Sequence, residues 1–205
     1  MNILDESKSN KVFGKVYKGK SWDNWRLFLS LVYGLDRDVE AKTQPYTGMS
    51  DGFEPQGYEE AYAIVSRRGG KTSIAALMAA HAGLFNDWSR HLAPGENPYI
   101  FMIAVNKAQA RVLFDRTLGL LNINATVRNK ISKVTADTIE FKNGTIIKVV
   151  PASFRSGRGY TLALVVLEEL SFFRYEEAAV QDVEIFRSLT PGLSTLPGAK
   201  LVGIS

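Results

Sequence analysis

The chain has 205 residues, a formal net charge of +4 and no cysteine, with 45% hydrophobic and 22% charged residues. This length suits one sizeable α/β domain around a single core and is too short for two large domains. The lack of cysteine excludes a disulfide framework, and no stretch reaches the roughly 18 apolar residues of a membrane span. We therefore expect an intracellular protein, without a secretory signal at its N-terminus.

Lysines crowd the start of the chain, at Lys8, Lys11, Lys15, Lys18 and Lys20. Together with the net positive charge, they are compatible with a polyanionic partner. Such a basic arm either contacts DNA or is a solvated, mobile terminus. The sequence leaves both interpretations open.

An amphipathic helix is predicted over residues 21–33, "SWDNWRLFLSLVY", with Ser21 as its N-cap. Its apolar stripe, which we expect to pack on the core, consists of Trp22, Trp25, Leu29 and Val32. Residues 34–57 mix Asp, Pro and Gly without a clear period, which predicts a long loop or a loop with short helical turns. A loop of this length in a compact domain is often functional.

From Ala61 onward, apolar strands alternate with helices, a pattern typical of a mainly parallel sheet flanked by helices. The predicted elements are a strand in "AYAIV", a helix over 71–85, a strand in "YIFMIAV", a capped helix over 106–121, a hairpin turning at Asn143-Gly144, a strand in "TLALVVLEEL", a helix around 177–189 and a strand in "GAKLVGIS". The sequence thus predicts an α/β core over residues 58–205, preceded by an N-terminal helical extension over residues 1–57.

The segment "AIVSRRGGKTSIAA" has the context of a phosphate-binding loop: a strand, a glycine-rich turn, Lys-Thr and a helix. The signature GxxxxGK(S/T) is incomplete, because Val65 stands where its first glycine is usual. In such a loop, backbone N–H groups surround phosphate oxygens, Lys71 reaches the β and γ phosphates, and the Thr72 hydroxyl ligates Mg²⁺. The alternative is a basic strand-to-helix turn without a ligand.

Two adjacent carboxylates, Glu168 and Glu169, end the apolar strand "LALVVLEEL". ATP hydrolysis needs one carboxylate to hold the metal and another to polarise the attacking water, and both lie at the carboxyl end of a neighbouring parallel strand. We assign Glu168 to Mg²⁺, through water, and Glu169 to the catalytic base. The alternative is that both residues only cap the following turn.

In their order and spacing, several segments resemble the large terminase subunits of tailed bacteriophages, the ATP-driven motors that package DNA into procapsids. The segments are "WRLFLSLVYGL", "EAYAIVSRRGGKTSIAALMA", "PYIFMIAVNKAQARVLF", "IEFKNGTIIKVVPASFRSGRGYTLALVVLEELSFF" and "PGLSTLPGAKLVGIS". The resemblance implies a RecA-like P-loop ATPase core of the ASCE class that uses ATP and Mg²⁺. It also implies double-stranded DNA, a portal protein and a small terminase subunit as partners, a homo-oligomeric ring when assembled or a monomer in isolation, and location in the host cell cytoplasm.

The resemblance explains the arginine-rich loop. Family members carry a loop of the form (S/G)R(Q/R)xGK(S/T), which is matched by Ser66, Arg67, Arg68, Gly69, Gly70, Lys71 and Thr72. The first arginine of the family acts in cis on the γ-phosphate, which makes Arg67 the residue expected to offset charge on the transferred phosphoryl group. Arg68 is expected to bind at the loop or to pack outside the site.

Further roles are implied by the resemblance alone. A second arginine acts from a neighbouring subunit in ring-forming members, and Arg158 is preferred over Arg155 because glycines flank it. Ser205 follows the apolar strand at the start of the coupling motif, which makes it a candidate γ-phosphate sensor. The glutamine that recognises adenine in the family corresponds to Gln44 or Gln56.

The sequence departs from the family pattern in two places. Many relatives have Asp-Glu where this chain has Glu168-Glu169, which puts direct metal coordination by the first acid in doubt. The chain stops at Ser205, so we expect an isolated or truncated ATPase fragment without the nuclease domain. Two alternatives remain at this point: a helicase or recombination ATPase with the same core, and a nucleotide-dependent assembly module with little turnover.

Overall fold

The computed structural model describes residues 2–9, 11–35, 39–47, 56–152, 159–170 and 182–205. The chain divides into two compact units, Met1–Ala61 and Tyr62–Ser205. Within the described ranges, no helix has both the length and the apolar character that a bilayer crossing requires.

Helices and strands alternate over most of the second unit. The helices of the chain are α1 (Ile3–Lys8), α2 (Asp23–Tyr33), α3 (Val39–Thr47), α4 (Lys71–Phe85), α5 (Lys107–Leu121), α6 (Ala125–Arg128) and α7 (Asp182–Leu193). The strands are β1 (Glu60–Ala63), β2 (Pro98–Ala104), β3 (Ile131–Val134), β4 (Thr138–Phe141), β5 (Ile146–Pro151), β6 (Thr161–Glu168) and β7 (Lys200–Ile204).

The first unit contains the predicted amphipathic helix, α2, although its start differs from the prediction. A 3-10 turn over Lys20–Trp22 precedes it, and Trp22 is the N-cap without a side-chain cap bond. The prediction of Ser21 as N-cap is wrong because α2 begins at Asp23, so the position before its first residue is Trp22. The expected stripe is buried at Trp25, Leu29 and Val32.

Helix α3 lies inside the segment that the sequence predicts to be a loop. Its sequence, VEAKTQPYT, has no apolar stripe, so a pattern of hydrophobic residues could not reveal it. Thr43 is buried, whereas Gln44 is exposed. The segment therefore contains a nine-residue helix rather than only short turns.

The described residues form a seven-stranded sheet in the order β1-β7-β6-β2-β5-β4-β3. Strand β2 pairs in parallel with β5 and β6, and β6 pairs in parallel with β7. Strand β4 is antiparallel to both β5 and β3. The predicted α/β class with a mainly parallel sheet is confirmed, and β3 and α6 are additions that the sequence did not predict.

Helices α4 and α5 match their predicted bounds closely. Helix α4 covers Lys71–Phe85 as expected, and α5 is capped by Asn106, whose side chain accepts a hydrogen bond from the Gln109 N–H at 3.0 Å. Residues 74–83 of α4 are all buried. Ile185 and Leu189 of α7 belong to the same buried hydrophobic cluster as residues of β6.

The predicted hairpin joins β4 to β5. Gly144 has a φ of 85°, and the Asn143 side chain accepts a hydrogen bond from the Thr145 N–H at 3.1 Å. The Asn143 amide also donates to the Gly83 carbonyl at 3.0 Å, which ties the turn to α4. Because the central strands are parallel, the ends of β1, β6 and β7 meet at one edge of the sheet.

Candidate nucleotide site

The glycine-rich loop connects β1 to α4, and two of its backbone positions are left-handed. Gly70 caps α4 with a φ of 86°, and Arg68 has a φ of 63°. Gly69 carries no side chain because a Cβ there would overlap the Val65 Cγ1 methyl and lie 3.0 Å from the Ser66 carbonyl oxygen. Val65, the departure from the usual signature, therefore packs directly on the loop.

Lys71 joins the loop to the second carboxylate. Its Nζ donates to the Val65 carbonyl at 3.2 Å and lies 3.3 Å from Glu169 Oε1. The Lys71 side chain is only 10% exposed and that of Glu169 is 27% exposed, so water screens this ion pair less than a surface pair. The sequence predicted both residues for the site, and the structure brings them into contact.

Thr72 and Glu168 form the second contact between loop and acidic strand. The Thr72 hydroxyl donates a hydrogen bond to Glu168 Oε1, and Glu168 is 6% exposed. Burial raises the pKa of the Glu168 carboxyl, and the neighbouring charge of Glu169 raises it further. The Thr72 hydrogen bond and the charges of Lys71 and Arg116 act in the opposite direction on that pKa.

The two adjacent carboxylates reach the same loop because the strand ends in an unusual turn. Consecutive side chains of a strand point to opposite faces of the sheet. Glu169 breaks this alternation with a φ of 58°, while its N–H donates to the Ile204 carbonyl at 2.7 Å. A left-handed non-glycine residue costs about 1–2 kcal/mol, and such strain concentrates at functional sites.

Ser205 lies beside the strand that enters the loop. Its N–H donates to the Ala63 carbonyl at 2.9 Å, and its own carbonyl accepts from the Val65 N–H at 2.7 Å. These two bonds continue the parallel pairing of β7 with β1 to the first residues of the loop. Its role as a γ-phosphate sensor stays a prediction.

The remaining predicted site residues are either exposed or outside the described residues. Ser66, Arg67 and Arg68 are exposed in the loop. Arg155 and Arg158 lie outside the described residues. The candidates for adenine recognition, Gln44 and Gln56, are exposed and belong to the first unit, and that assignment also stays a prediction.

The contact between Thr72 and Glu168 suits a magnesium ion. Within the described part of the chain, no three His, Cys, Asp or Glu side chains form a cluster that could hold a metal. Magnesium does not need one, because in phosphate sites it is held by one or two protein oxygens together with substrate phosphates and water. A hydroxyl and a carboxylate that already touch provide hard oxygen ligands of the required kind.

Sequence reasoning missed Arg116, an exposed residue of α5 whose charge lowers the pKa of Glu168. It belongs to no recognisable motif, and only the packing of the helices around the sheet brings its charge near the acidic strand. The sequence carried no signal that could have identified it.

A parallel sheet whose glycine-rich loop meets two carboxylates of another strand is the arrangement of ATP-hydrolysing domains. The model of the terminase large subunit ATPase domain family matches residues 46–190. The chain therefore belongs to this family, whose general activity is ATP hydrolysis. The match favours the terminase interpretation over the helicase alternative.

Solved structures show the same RecA-like fold. The crystal structure of the HK97 bacteriophage large terminase aligns with a TM-score of 0.58 and 18% identity, over 74% of this chain and 30% of that one. Two structures of the Thermus phage P74-26 large terminase ATPase domain, one of them a mutant, align with a TM-score of 0.51 over 71% of this chain and 58% of theirs. Their identities are 19% for the mutant and 17% for the other. No curated protein matches the chain.

Replacing Glu168 with glutamine is expected to raise the melting temperature of the ligand-free protein at neutral pH. Burial raises the pKa of this carboxyl above its unfolded-state pKa. The free energy of unfolding therefore falls as the pH rises from the unfolded-state pKa through the folded-state pKa, where the buried carboxyl ionises. Glutamine removes the charge and keeps an oxygen that accepts from Thr72. Calorimetry should show a gain in melting temperature that shrinks toward acidic pH. Each kcal/mol gained in the free energy of unfolding corresponds to roughly 2–4 °C.

The matched control for this experiment is Glu59→Gln, which removes a carboxylate from an exposed position. It should leave the melting temperature nearly unchanged across the same pH series. A Glu168→Gln protein that is less stable than the wild type at every pH would contradict the prediction.

Proposed function

We propose that this chain is a Mg²⁺-dependent P-loop ATP hydrolase that drives double-stranded DNA into a viral procapsid. One observation carries the proposal: Lys71 and Thr72 of the loop each contact one of the two carboxylates that end β6. Membership in the terminase ATPase family supports the assignment to a packaging motor.

ATP binding would reorganise the contacts of Lys71. Its ammonium group is the loop's phosphate ligand, yet in the ligand-free protein it pairs with Glu169. When the β and γ phosphates replace Glu169 as the partner of Lys71, the Glu169 carboxylate becomes available to accept a hydrogen bond from water. Substrate binding and activation of the base are thereby linked through one ammonium group.

Thr72 and Glu168 would hold the magnesium ion, Glu168 through water. The ion, when bound, neutralises phosphate charge and orients the β and γ oxygens. Glu169 orients the attacking water and accepts its proton as the γ-phosphoryl group is transferred to the water oxygen and ADP leaves. Arg67 stabilises the charge that develops on the transferred group.

The remaining roles concern assembly. We propose that Arg158, or Arg155, reaches the site of a neighbouring subunit in a homo-oligomeric ring, that Ser205 senses the γ-phosphate, and that Gln44 or Gln56 recognises adenine. A portal protein and a small terminase subunit are the further proposed partners, in the host cytoplasm. The absence of nuclease activity from this segment remains a prediction.

The proposed function is tested with Lys71→Ala. The substitution removes a charged donor, worth about 1.5–3 kcal/mol, so binding of a Mg–ATP analogue should weaken about 10- to 100-fold and turnover should fall to background. Calorimetric titration and phosphate release measure the two effects. Lys107→Ala, at an exposed position on α5, is the control and should keep both properties.

Mixing variants extends this test to the second arginine. The Arg158→Ala protein should lose the part of the ATP turnover that rises with protein concentration. Adding the Lys71→Ala protein should restore part of it, because Lys71→Ala supplies the arginine and Arg158→Ala supplies the intact phosphate-binding loop. If mixing restores nothing, Arg158 has no role in trans. Wild-type turnover in Lys71→Ala would refute the phosphate-loop assignment itself.

A further inference from the structure

The basic segment at the start of the chain is folded, in contrast to the mobile terminus that its sequence allows. Helix α1 is capped by Asn2, and the residues from Lys11 onward contact the helix again. The Phe13 N–H donates to the Glu6 carbonyl at 3.2 Å, and the side chains of Phe13 and Tyr17 are 0% and 3% exposed. Two aromatic anchors thus fix the segment from Lys11 to Lys20.

Two further features hold the backbone of this segment. A Cβ at Gly14 would overlap the Lys8 carbonyl oxygen, so the chain passes the end of α1 at close range. The Arg26 guanidinium donates to the Tyr17 carbonyl at 2.6 Å and to the Gly19 carbonyl at 3.1 Å. The backbone that carries the lysines is therefore held at several points.

All five lysines of the segment are exposed, and we name Lys8, Lys11, Lys15, Lys18 and Lys20 the lysine surface. No acidic residue occurs between Glu6 and Asp23. Among the described residues, Lys8, Lys15, Lys18 and Lys20 form no ion pair with a carboxylate. These four lysines thus concentrate positive charge that no carboxylate of the described residues neutralises by an ion pair.

We propose that the lysine surface binds the sugar-phosphate backbone of duplex DNA and is the place where the motor holds its substrate. The inference rests on the proposed function for the identity of the polyanion. Lysine ammonium groups are mobile point charges that contact phosphates without reading bases. Such contacts suit a motor that must move along DNA of any sequence.

The chemistry of the segment disfavours other partners. Protein interfaces are depleted in lysine and enriched in exposed aromatic residues, whereas the aromatic side chains of Phe13 and Tyr17 are buried. Single-stranded nucleic acid is bound by stacking its bases on exposed aromatic rings, and those two rings are not available for stacking. The segment instead carries exposed lysines on a backbone that is held in place, and such charges can contact the regularly spaced phosphates of a duplex.

The test compares two proteins that each lack four positive charges. The first carries Lys8→Gln, Lys15→Gln, Lys18→Gln and Lys20→Gln in the lysine surface. The second carries four substitutions around β3 and β4, all at exposed positions: Arg128→Gln, Lys130→Gln, Lys133→Gln and Lys142→Gln. Affinity for two unrelated DNA duplexes is measured by fluorescence anisotropy from 50 to 200 mM salt, together with ATP turnover without DNA.

The lysine-surface variant should bind both duplexes at least tenfold more weakly than the control variant. The slope of log affinity against log salt should become shallower by roughly 0.9 for every lysine that contacts a phosphate. Should the fourfold variant fold poorly, Lys15→Gln and Lys18→Gln are measured singly, each with an expected slope change of about 0.9. Basal ATP turnover should be unchanged, because no lysine of this surface belongs to the proposed nucleotide site.

Equal affinity and slope for the two fourfold variants would overturn the proposal, as would a wild-type chain that fails to bind duplex at 50 mM salt. Binding to polyglutamate or to anionic vesicles without binding to duplex would overturn it in favour of an acidic protein or a membrane. A chain that loses DNA affinity as expected but never hydrolyses ATP would refute the proposed function and leave the lysine surface standing.

Discussion

Replacing Arg67 with alanine is expected to lower the rate of ATP turnover by roughly 10³- to 10⁵-fold, the contribution typical of an arginine that stabilises phosphoryl transfer. The Arg67 side chain is exposed in the loop, one residue before the left-handed position at Arg68. A guanidinium there acts on charge that develops during the reaction, so ground-state binding of ATP should change little. Steady-state phosphate release and equilibrium binding of an ATP analogue separate these two effects.

Arg90→Ala is the matched control, because Arg90 is an exposed arginine of a 3-10 turn outside the loop. Its turnover should stay within about twofold of the wild type, as expected of a surface substitution. Arg67→Lys should recover only part of the lost activity, since lysine keeps the charge without the planar fork of donors. If Arg67→Ala hydrolyses ATP at a near wild-type rate, the charge-stabilising role passes to Arg68 or to an arginine of another subunit.

Replacing Glu169 with glutamine is expected to reduce turnover by roughly 10²- to 10⁴-fold while ATP still binds. Glutamine can hold the attacking water by a hydrogen bond, but it cannot accept its proton. The substitution also removes the charge that pairs with Lys71 in the ligand-free protein, so ATP affinity should be maintained or increased. A single-turnover experiment should find bound ATP that is cleaved slowly.

Glu59→Gln serves again as the comparison, since it makes the same chemical change at an exposed position. An unchanged rate in Glu169→Gln would remove Glu169 from the role of base. Loss of ATP binding in that variant, with the fold intact, would instead make Glu169 a ligand-binding residue.

The core of the fold was predictable where apolar residues form continuous runs between turn signals. Helix α4 begins and ends at the predicted residues, and the strand "TLALVVLEEL" appears as β6. Helix α3 was not predicted because its sequence has no apolar face. Strand β3 was not predicted because three of its four residues are exposed. Apolar residue patterns indicate burial, so elements that bury few residues have only a weak signal in the sequence.

The sequence singled out the loop residues and the two adjacent acids, but not the contacts between them. The motif places Lys71 near phosphate and the acidic strand places two carboxylates nearby, but only the folded chain pairs Lys71 with Glu169. The left-handed turn at Glu169 has no sequence signal, because residues other than glycine rarely adopt it. The charge of Arg116 on helix α5 lowers the pKa of Glu168 at the end of strand β6, an effect that depends on tertiary packing.

The contact of Val65 with Gly69 explains how this loop differs from the usual signature. In GxxxxGK(S/T) the first position is glycine and the residue before the second glycine can carry any side chain. Here the first position is valine and the later one is glycine, and a Cβ on Gly69 would occupy the space of the Val65 methyl. In this chain the side chain of Val65 occupies that space. Restoring the usual glycine at Val65 would therefore open a void, unless a side chain were introduced at Gly69 in the same protein.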